Sequence, residues 1–547
     1  MRNKWKTMLL AGMTLAMLLS ACSSTGKPED KGTEGGTPSA SAPASTAPSQ
    51  EQNKEEKKEH LTLEWFTFVN QATSNLPNAS DDFVKQAIEE RFNVTLNMNY
   101  MPVGEDYKKK LNLLLASKDV PDMFTTDGRT SQEYILQGLT ADMTPFVSPE
   151  TMPNYFKWVT LEELERYAIE DVFARAPLPF ARSIYRSYYI RKDWLDNLNL
   201  EIPTSYDELT NVLKAFTFND PDGNKKNDTY GFSVSAGGNG MPWDFPQWYN
   251  NGLFQATVVG EQDHMYHDNG SDPLAGKVVD EVLEWLDAGI VDPDWFLNKG
   301  MAHIDKAAQG KIGVVVGVDR NFAFDSNPTG LQAKTKSIIP GAEWVPFNPI
   351  PEKPQWREGV AASAFLFAKT AADTSPEKVK RSIEILDWLA SEEGFLMTHY
   401  GLEGKHYTRD GNKITLNEDA YQKDIVDKGN FLDVYQFFTP DEANVLGLEI
   451  IEPSMSDRDR EIVATISTYL HDTYYKGVNT SPPAGFNLAD FRTKMYEYHQ
   501  KMLFDDKSGS NWPQYREDLM TRYGGRKLFQ AYVEQIRKAG YELKDFE

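Results

Sequence analysis

Between Leu61 and Thr125 the hydrophobic pattern switches period four times, and that alternation constrains the fold more than any other feature. Leu61-Thr62-Leu63-Glu64-Trp65-Phe66-Thr67-Phe68 has the β-branched and aromatic character of a strand. Ser80-Asp81-Asp82 then caps a helix whose apolar stripe is Phe83, Val84, Ala87, Ile88 and Phe92. Asn93 to Tyr100 alternates as a second strand, and Tyr107, Leu111, Leu114 and Leu115 mark a second helix. Val120 to Thr125 leads into a third strand. Two successive βαβ units imply a parallel sheet with helices on both faces. Ligands of such sheets lie beyond the carboxyl ends of the strands, which puts Phe68 to Asn78 and Thr126 to Thr130 near any site. No glycine-rich phosphate loop follows either strand, which argues against a nucleotide.

The chain has one cysteine, Cys22, so an intramolecular disulfide is excluded. Ahead of it lie Arg2, Lys4 and Lys6, an apolar run from Met8 to Leu19, and small residues, the order of a secretory signal. The run is about a dozen residues, short of the ~20 a membrane span requires. Leu19-Ser20-Ala21-Cys22 resembles the lipobox of bacterial lipoproteins. The resemblance implies a signal peptide over 1–21 and a Cys22 that carries lipid, palmitate among its acyl chains, on the outer face of the cell membrane. Ser23 to Glu59 is rich in Gly, Ser, Thr, Pro and Ala and ends in a charged run, so 22–59 reads as a disordered, lipid-anchored linker. Its flexible reach is roughly 30–35 Å.

The folded body begins near His60 and is long enough for two or three domains. The formal charge is −24, and it becomes −27 once 1–21, which hold three cations and no acid, are removed. That balance argues against nucleic acid as a partner and keeps the body off anionic lipid. The body contains no second hydrophobic run of spanning length.

Specific segments point to a family. The strand–helix opening ends in Asp119-Val120-Pro121-Asp122. Tyr188-Tyr189-Ile190-Arg191-Lys192-Asp193-Trp194-Leu195 and Ile202-Pro203-Thr204-Ser205-Tyr206-Asp207-Glu208-Leu209 follow, then Gln309-Gly310-Lys311-Ile312-Gly313-Val314 and Tyr400-Gly401-Leu402-Glu403-Gly404-Lys405-His406-Tyr407. In this order they resemble bacterial extracellular solute-binding lipoproteins of ABC importers, specifically the sugar-binding, LplA-like branch of Gram-positive bacteria. One departure is Ala308, where the branch often has an aromatic residue. The resemblance implies an α/β, two-lobed periplasmic-binding-protein-like fold with a hinge and an interlobe cleft. It further implies a monomer without enzymatic activity that captures an oligosaccharide and delivers it to permease subunits. By chain order, lobe 1 is expected over 60–170 and 350–410 and lobe 2 over 171–349 and 411–547. Helices over Asp490 to Met502 and Trp512 to Lys538 would lengthen lobe 2.

Asp220-Pro221-Asp222-Gly223-Asn224-Lys225-Lys226-Asn227-Asp228 places side-chain oxygens at positions 1, 3, 5 and 9 of a calcium loop. Asp220, Asp222, Asn224 and Asp228 would supply them, with the carbonyl of Lys226 at position 7. Lys225 stands at position 6 where an EF-hand has glycine, and Gly231 stands at position 12 in place of the bidentate glutamate. The family resemblance implies a structural calcium at such a loop. Without the ion, the same residues are ordinary turn chemistry.

Sugars offer flat C–H faces to rings and hydroxyl rims to amides and charges, so a cleft should concentrate both. Met241 to Asn251 does, with Trp243, Trp248, Tyr249 and Asn250, two prolines and no helical period. Trp65, Asp127, Arg320, Trp344 and Trp356 are further cleft candidates at expected strand ends or loop tips, whereas Trp194, Trp285 and Trp388 sit on helical stripes and belong to the core. Arg182, Arg186 and Arg191 cluster with Tyr185, Tyr188 and Tyr189 and read either as contacts for uronic-acid sugars or as a solvated face. A peptide-binding lipoprotein of the same fold is the alternative. A secreted glycosidase or lyase is less well supported, because none of the 81 acidic residues is singled out as a catalytic pair and the 8 histidines show no ligand spacing.

Overall fold

The computed structural model describes residues 59–547 except 70–71, 118, 166, 169–171, 184, 254–257, 260–263, 354–355, 358–362, 473–479, 481, 484 and 539–540. Cys22, the leader and the linker expected over 22–59 lie outside the described residues, apart from Glu59. Among the described residues no helix is long and apolar enough to cross a membrane.

The opening follows the expected order: Leu61–Val69 (β1), Phe83–Phe92 (α1), Val94–Pro102 (β2), Glu105–Leu115 (α2), Met123–Asp127 (β3) and Gly128–Leu136 (α3). Asp82 caps α1 by accepting a hydrogen bond from the Lys85 amide at 3.0 Å. β1 pairs with β2 in parallel from Leu61 opposite Val94 to Val69 opposite Pro102, and β3 joins the other side of β1 in parallel. After Ala176–Pro177 (β4) the chain leaves for a second sheet made of Ser187–Arg191 (β5), Tyr230–Phe232 (β6), Ile312–Gly317 (β7) and Trp344–Phe347 (β8). It returns as Ser363–Phe367 (β9), which pairs antiparallel with both β3 and β4. The first sheet, in the order β2-β1-β3-β9-β4, is therefore mixed rather than wholly parallel. The second runs β8-β5-β7-β6, with only β6 and β7 parallel.

Each sheet organises its own core. Leu63, Trp65, Phe66 and Val69 of β1 pack with residues from 84 to 178 and from 364 to 448. Each such buried side chain is worth about 1.5–3 kcal/mol of transfer free energy. On β5, period-two alternation sends Tyr188 and Ile190 to one face and Tyr189 to the other. The first of these faces packs on the C-terminal helices, including Leu488–Gln500 and Gly525–Lys538, and the second on Asp457–Ser467. The boundary expected at 410 is thus displaced. Ile414, Phe431, Leu432, Val434 and Phe438 pack with the first core, as do Phe173 and Leu178, because their rings and methyls fill its flank.

Candidate functional site

Register identifies which sheet edges meet. Ala364 at the start of β9 lies opposite both Thr126 near the end of β3 and Pro177 of β4. Ser187 at the start of β5 lies opposite Gly317 at the end of β7, and Phe347 at the end of β8 lies opposite Tyr188. The segment 178–186 joins the two edges, and at ~3.3–3.6 Å per residue it can span at most about 30 Å. A second crossover, 348–362, returns from β8 to β9, and a third lies between Glu449–Ile451 and Asp457–Ser467. The carboxyl ends of β3, β6 and β7 therefore border the crossovers, where the βαβ topology placed a ligand.

On the second core, the aromatic segment lies just past β6. Pro246 caps a single turn, Gln247–Asn250. Trp248 and Tyr249 are wholly buried, and the Trp248 indole donates to the Pro242 carbonyl at 3.1 Å. Trp243 is half-buried, its ring 4.5 Å from that of Trp248 at 46°. The expectation that Trp248 and Tyr249 face a ligand is corrected: they hold the segment in the core, while Trp243 is only partly buried. Asn250 is also half-buried, and its carbonyl accepts from the Lys353 ammonium. Leu488–Gln500 backs the segment. His499 packs near Trp248 and Trp512, and its Nε2 bonds the Gly270 carbonyl at 2.8 Å. Burial pushes the His499 imidazole down to about 4.

Two other candidates are core residues. Trp65 is in the middle of β1, not at its end, and its indole donates to Ser382 at 3.1 Å. Trp344 begins β8 fully buried, with its indole on Thr335 at 3.0 Å. Burial of their large rings outweighs any use at a surface. Trp194, Trp285 and Trp388 are buried as expected. Trp356 pairs in parallel through its backbone with His471, and its side chain is outside the described residues.

Asp127 is exposed at the end of β3 and accepts from Thr130 through its amide at 2.8 Å and its hydroxyl at 2.7 Å. Beneath this turn lies a residue the sequence did not single out. Arg175 is buried, with its guanidinium on the carbonyls of Gly128 and Tyr167 and on the Ser131 hydroxyl. Burial draws it down to about 10. Its position next to a two-residue strand left no periodic signal to mark it.

The three clustered arginines separate in space. Arg182 pairs with Glu163, whose carboxyl burial would raise but Arg182's hydrogen bonds hold below its ordinary value. Arg186 pairs with Asp244. Arg191 is buried against Asp193, between Trp194 and Trp344. Arg320 pairs with Glu452 at 3.0 Å. Neither a shared patch for a uronate nor a freely solvated face results, because each guanidinium is neutralised by a different carboxylate.

The acidic loop closes on itself through amide–carboxylate bonds. Lys225 has φ +64°, the left-handed conformation that glycine takes at position 6. Its amide donates to both Asp220 oxygens at 3.0 and 3.1 Å, and the Asn224 amide nitrogen bridges Asp222 and Asp228. Lys226 donates its amide to Asn224 Oδ1. Partial burial and the nearby Asp228 and Asp220 carboxylates push Asp222 above its ordinary value. The oxygen-only donors suit a hard cation. Position 12 is closed to a carboxylate, since a Cβ on Gly231 would lie 2.6 Å from the Leu213 carbonyl. Among the described residues no three acidic, histidine or cysteine side chains converge as a metal cluster.

Against known proteins, the family model described as bacterial extracellular solute-binding protein matches residues 74–394. The chain belongs to that family. Its members are solute-binding proteins, not enzymes, and the two cores are the two lobes of this periplasmic-binding-protein-like fold. Over 98% of its length the chain is 25% identical to the whole of the polygalacturonan/rhamnogalacturonan-binding protein YtcQ of Bacillus subtilis. An HMO-binding, ABC-transporter-associated solute-binding protein of Bifidobacterium longum infantis superposes with a TM-score of 0.68 at 18% identity, over 87% of this chain and 99% of that one. An EF-hand mutant of FusA, an ABC-transporter substrate-binding protein of Streptococcus pneumoniae, in complex with fructo-nystose gives 0.59 at 16% identity, over 87% and 99%.

Proposed function

We propose that this solute-binding protein is a monomeric, lipid-anchored receptor on the outer face of a Gram-positive cell membrane. It captures an oligosaccharide between its lobes and passes it to ABC permease subunits. The observation that carries the reading is the partly exposed Trp243 ring, next to an Asp244 that pairs with Arg186 of the first crossover, while its neighbours Trp248 and Tyr249 are buried. A partly exposed ring held beside Trp248 suits the flat side of a pyranose. The end-to-end relationship to a polygalacturonan/rhamnogalacturonan-binding protein supports a sugar over a peptide. Hinge closure stores no chemistry, and ligand favours the closed form only through contacts that both lobes share. Asp127 on lobe 1 and Asn250 and Arg320 on lobe 2 are the polar candidates for the hydroxyl rim. Trp356, on the second crossover, is a further ring candidate.

We further propose calcium at Asp220, Asp222, Asn224, the Lys226 carbonyl and Asp228. The left-handed turn at Lys225 and the carboxylate crowding at Asp222 support it. The ion would neutralise that crowding and fix the entry to β6. Calorimetric titration of the chain with oligogalacturonides, fructooligosaccharides and short peptides, each with calcium or chelator, tests both readings. Saturable heat with one sugar class, weakened by Trp243→Ala, is the expected result. Heat with peptides alone would replace the sugar reading, and binding of calcium unaffected by Asp220→Asn would remove the ion from this loop.

A further inference from the structure

The first crossover is anchored at both ends, and to different lobes. On the lobe 1 side, Arg182 bonds Glu163 and the Trp158 carbonyl, while the amides of Arg182 and Ser183 donate to the buried Glu442 carboxylate. On the lobe 2 side, Arg186 pairs with Asp244, and the Tyr188 hydroxyl donates to the Asp244 carbonyl at 2.9 Å. Only 184–185 lie between the two anchors. Anchored on either side, the first crossover is a short stretch of the kind that hinges use.

Asp244 follows Trp243, and the same segment is also held by the second crossover, where Lys353 donates to the Asn250 carbonyl. Arg186 and Asp244 are themselves about three-quarters buried, with side chains 21% and 25% exposed. At that burial the pair is less screened than a surface bridge.

We propose that Arg186, Asp244 and Lys353 are positioning residues that fasten the aromatic segment to two of the three crossovers. A contact at Trp243 then acts on the hinge through the backbone of 243–250, without Arg186 or Lys353 touching ligand. The sugar reading supplies the consequence of this coupling, but the coupling itself is a property of the ligand-free chain.

Amide hydrogen exchange on the full chain without any ligand tests it, so that failure to bind a sugar and failure of the coupling are separable. Arg186→Gln should speed exchange of the Tyr185 to Tyr188 amides at least about tenfold, with β1 unchanged. Asp244→Asn should do the same, the double variant should add nothing further, and Arg186→Lys should restore most of the protection. Lys353→Met, on the other crossover, should also speed exchange at Tyr185 to Tyr188, which a purely local structural role would not do. The proposal is overturned if Lys353→Met leaves those amides unchanged. An additive double variant would overturn it too, as would an equal effect from Arg537→Gln, a remote surface pair with Asp545.

Discussion

Two loops of lobe 2, a short distance apart in sequence, take their shapes from opposite sources. The acidic loop 220–228 is exposed from Asp222 on and closes on itself, amide to carboxylate and carboxamide to carboxylate. The aromatic segment 241–250 is mostly buried, and its partners include residues 186, 188, 206, 353 and 499. Local chemistry shapes the first, and tertiary packing shapes the second. A loop of the first kind can be recognised from spacing, yet its oxygens stay crowded without an ion. In a loop of the second kind, composition shows that rings gather but not which ring is left open.

The contrast can be broken or sharpened by measurement. The largest effect is expected at Trp248, where replacement by alanine should cost about 3–5 kcal/mol in denaturant unfolding. A loss below ~1 kcal/mol would mean the segment is a surface loop after all. Next is pH. The folded His499 has a pKa near 4, below the ordinary value of 6.5, so the unfolded chain binds more protons between the two. Its contribution to stability is therefore complete above about 6.5 and is lost as pH falls toward about 4, in all ~3 kcal/mol. His499→Gln should flatten that part of the stability–pH curve.

Calcium at a hundred times its dissociation constant should stabilise the fold by ~2.7 kcal/mol, and Asp222→Asn should abolish most of the gain. In chelator the same substitution should stabilise slightly, since it relieves the repulsion that raises the Asp222 carboxyl. Trp243→Ala should show the smallest change in stability, about 1 kcal/mol, with roughly tenfold weaker sugar binding. Equal losses at Trp243 and Trp248 would erase the distinction between open and buried rings.

Much of the fold was legible because its opening is local. Asp82 with α1, and Leu61 opposite Val94, are fixed by period and capping over neighbouring residues. The first sheet became mixed because β9 arrives from residues 363–367, and no local pattern records the direction in which a distant strand inserts. The same limit applied to the site. By sequence Trp65 and Trp344 are cleft candidates no more than they are core residues, because strand ends and strand middles look alike in composition, while their burial depends on partners such as Ser382 and Thr335. Arg182, Arg186 and Arg191 appeared as one cluster because they are close in sequence. The chain crosses between lobes there, so Glu163, Asp244 and Asp193 divide them.

The central claim is that this chain holds a sugar between two lobes and does not transform it. It is tested most directly by following thermal unfolding with an oligosaccharide panel and then weighing the recovered ligand by mass spectrometry. A raised midpoint with one sugar class, lost in Trp243→Ala, and that sugar recovered at its original mass is the predicted result. Shortened or unsaturated products, or no shift with any sugar, would contradict it.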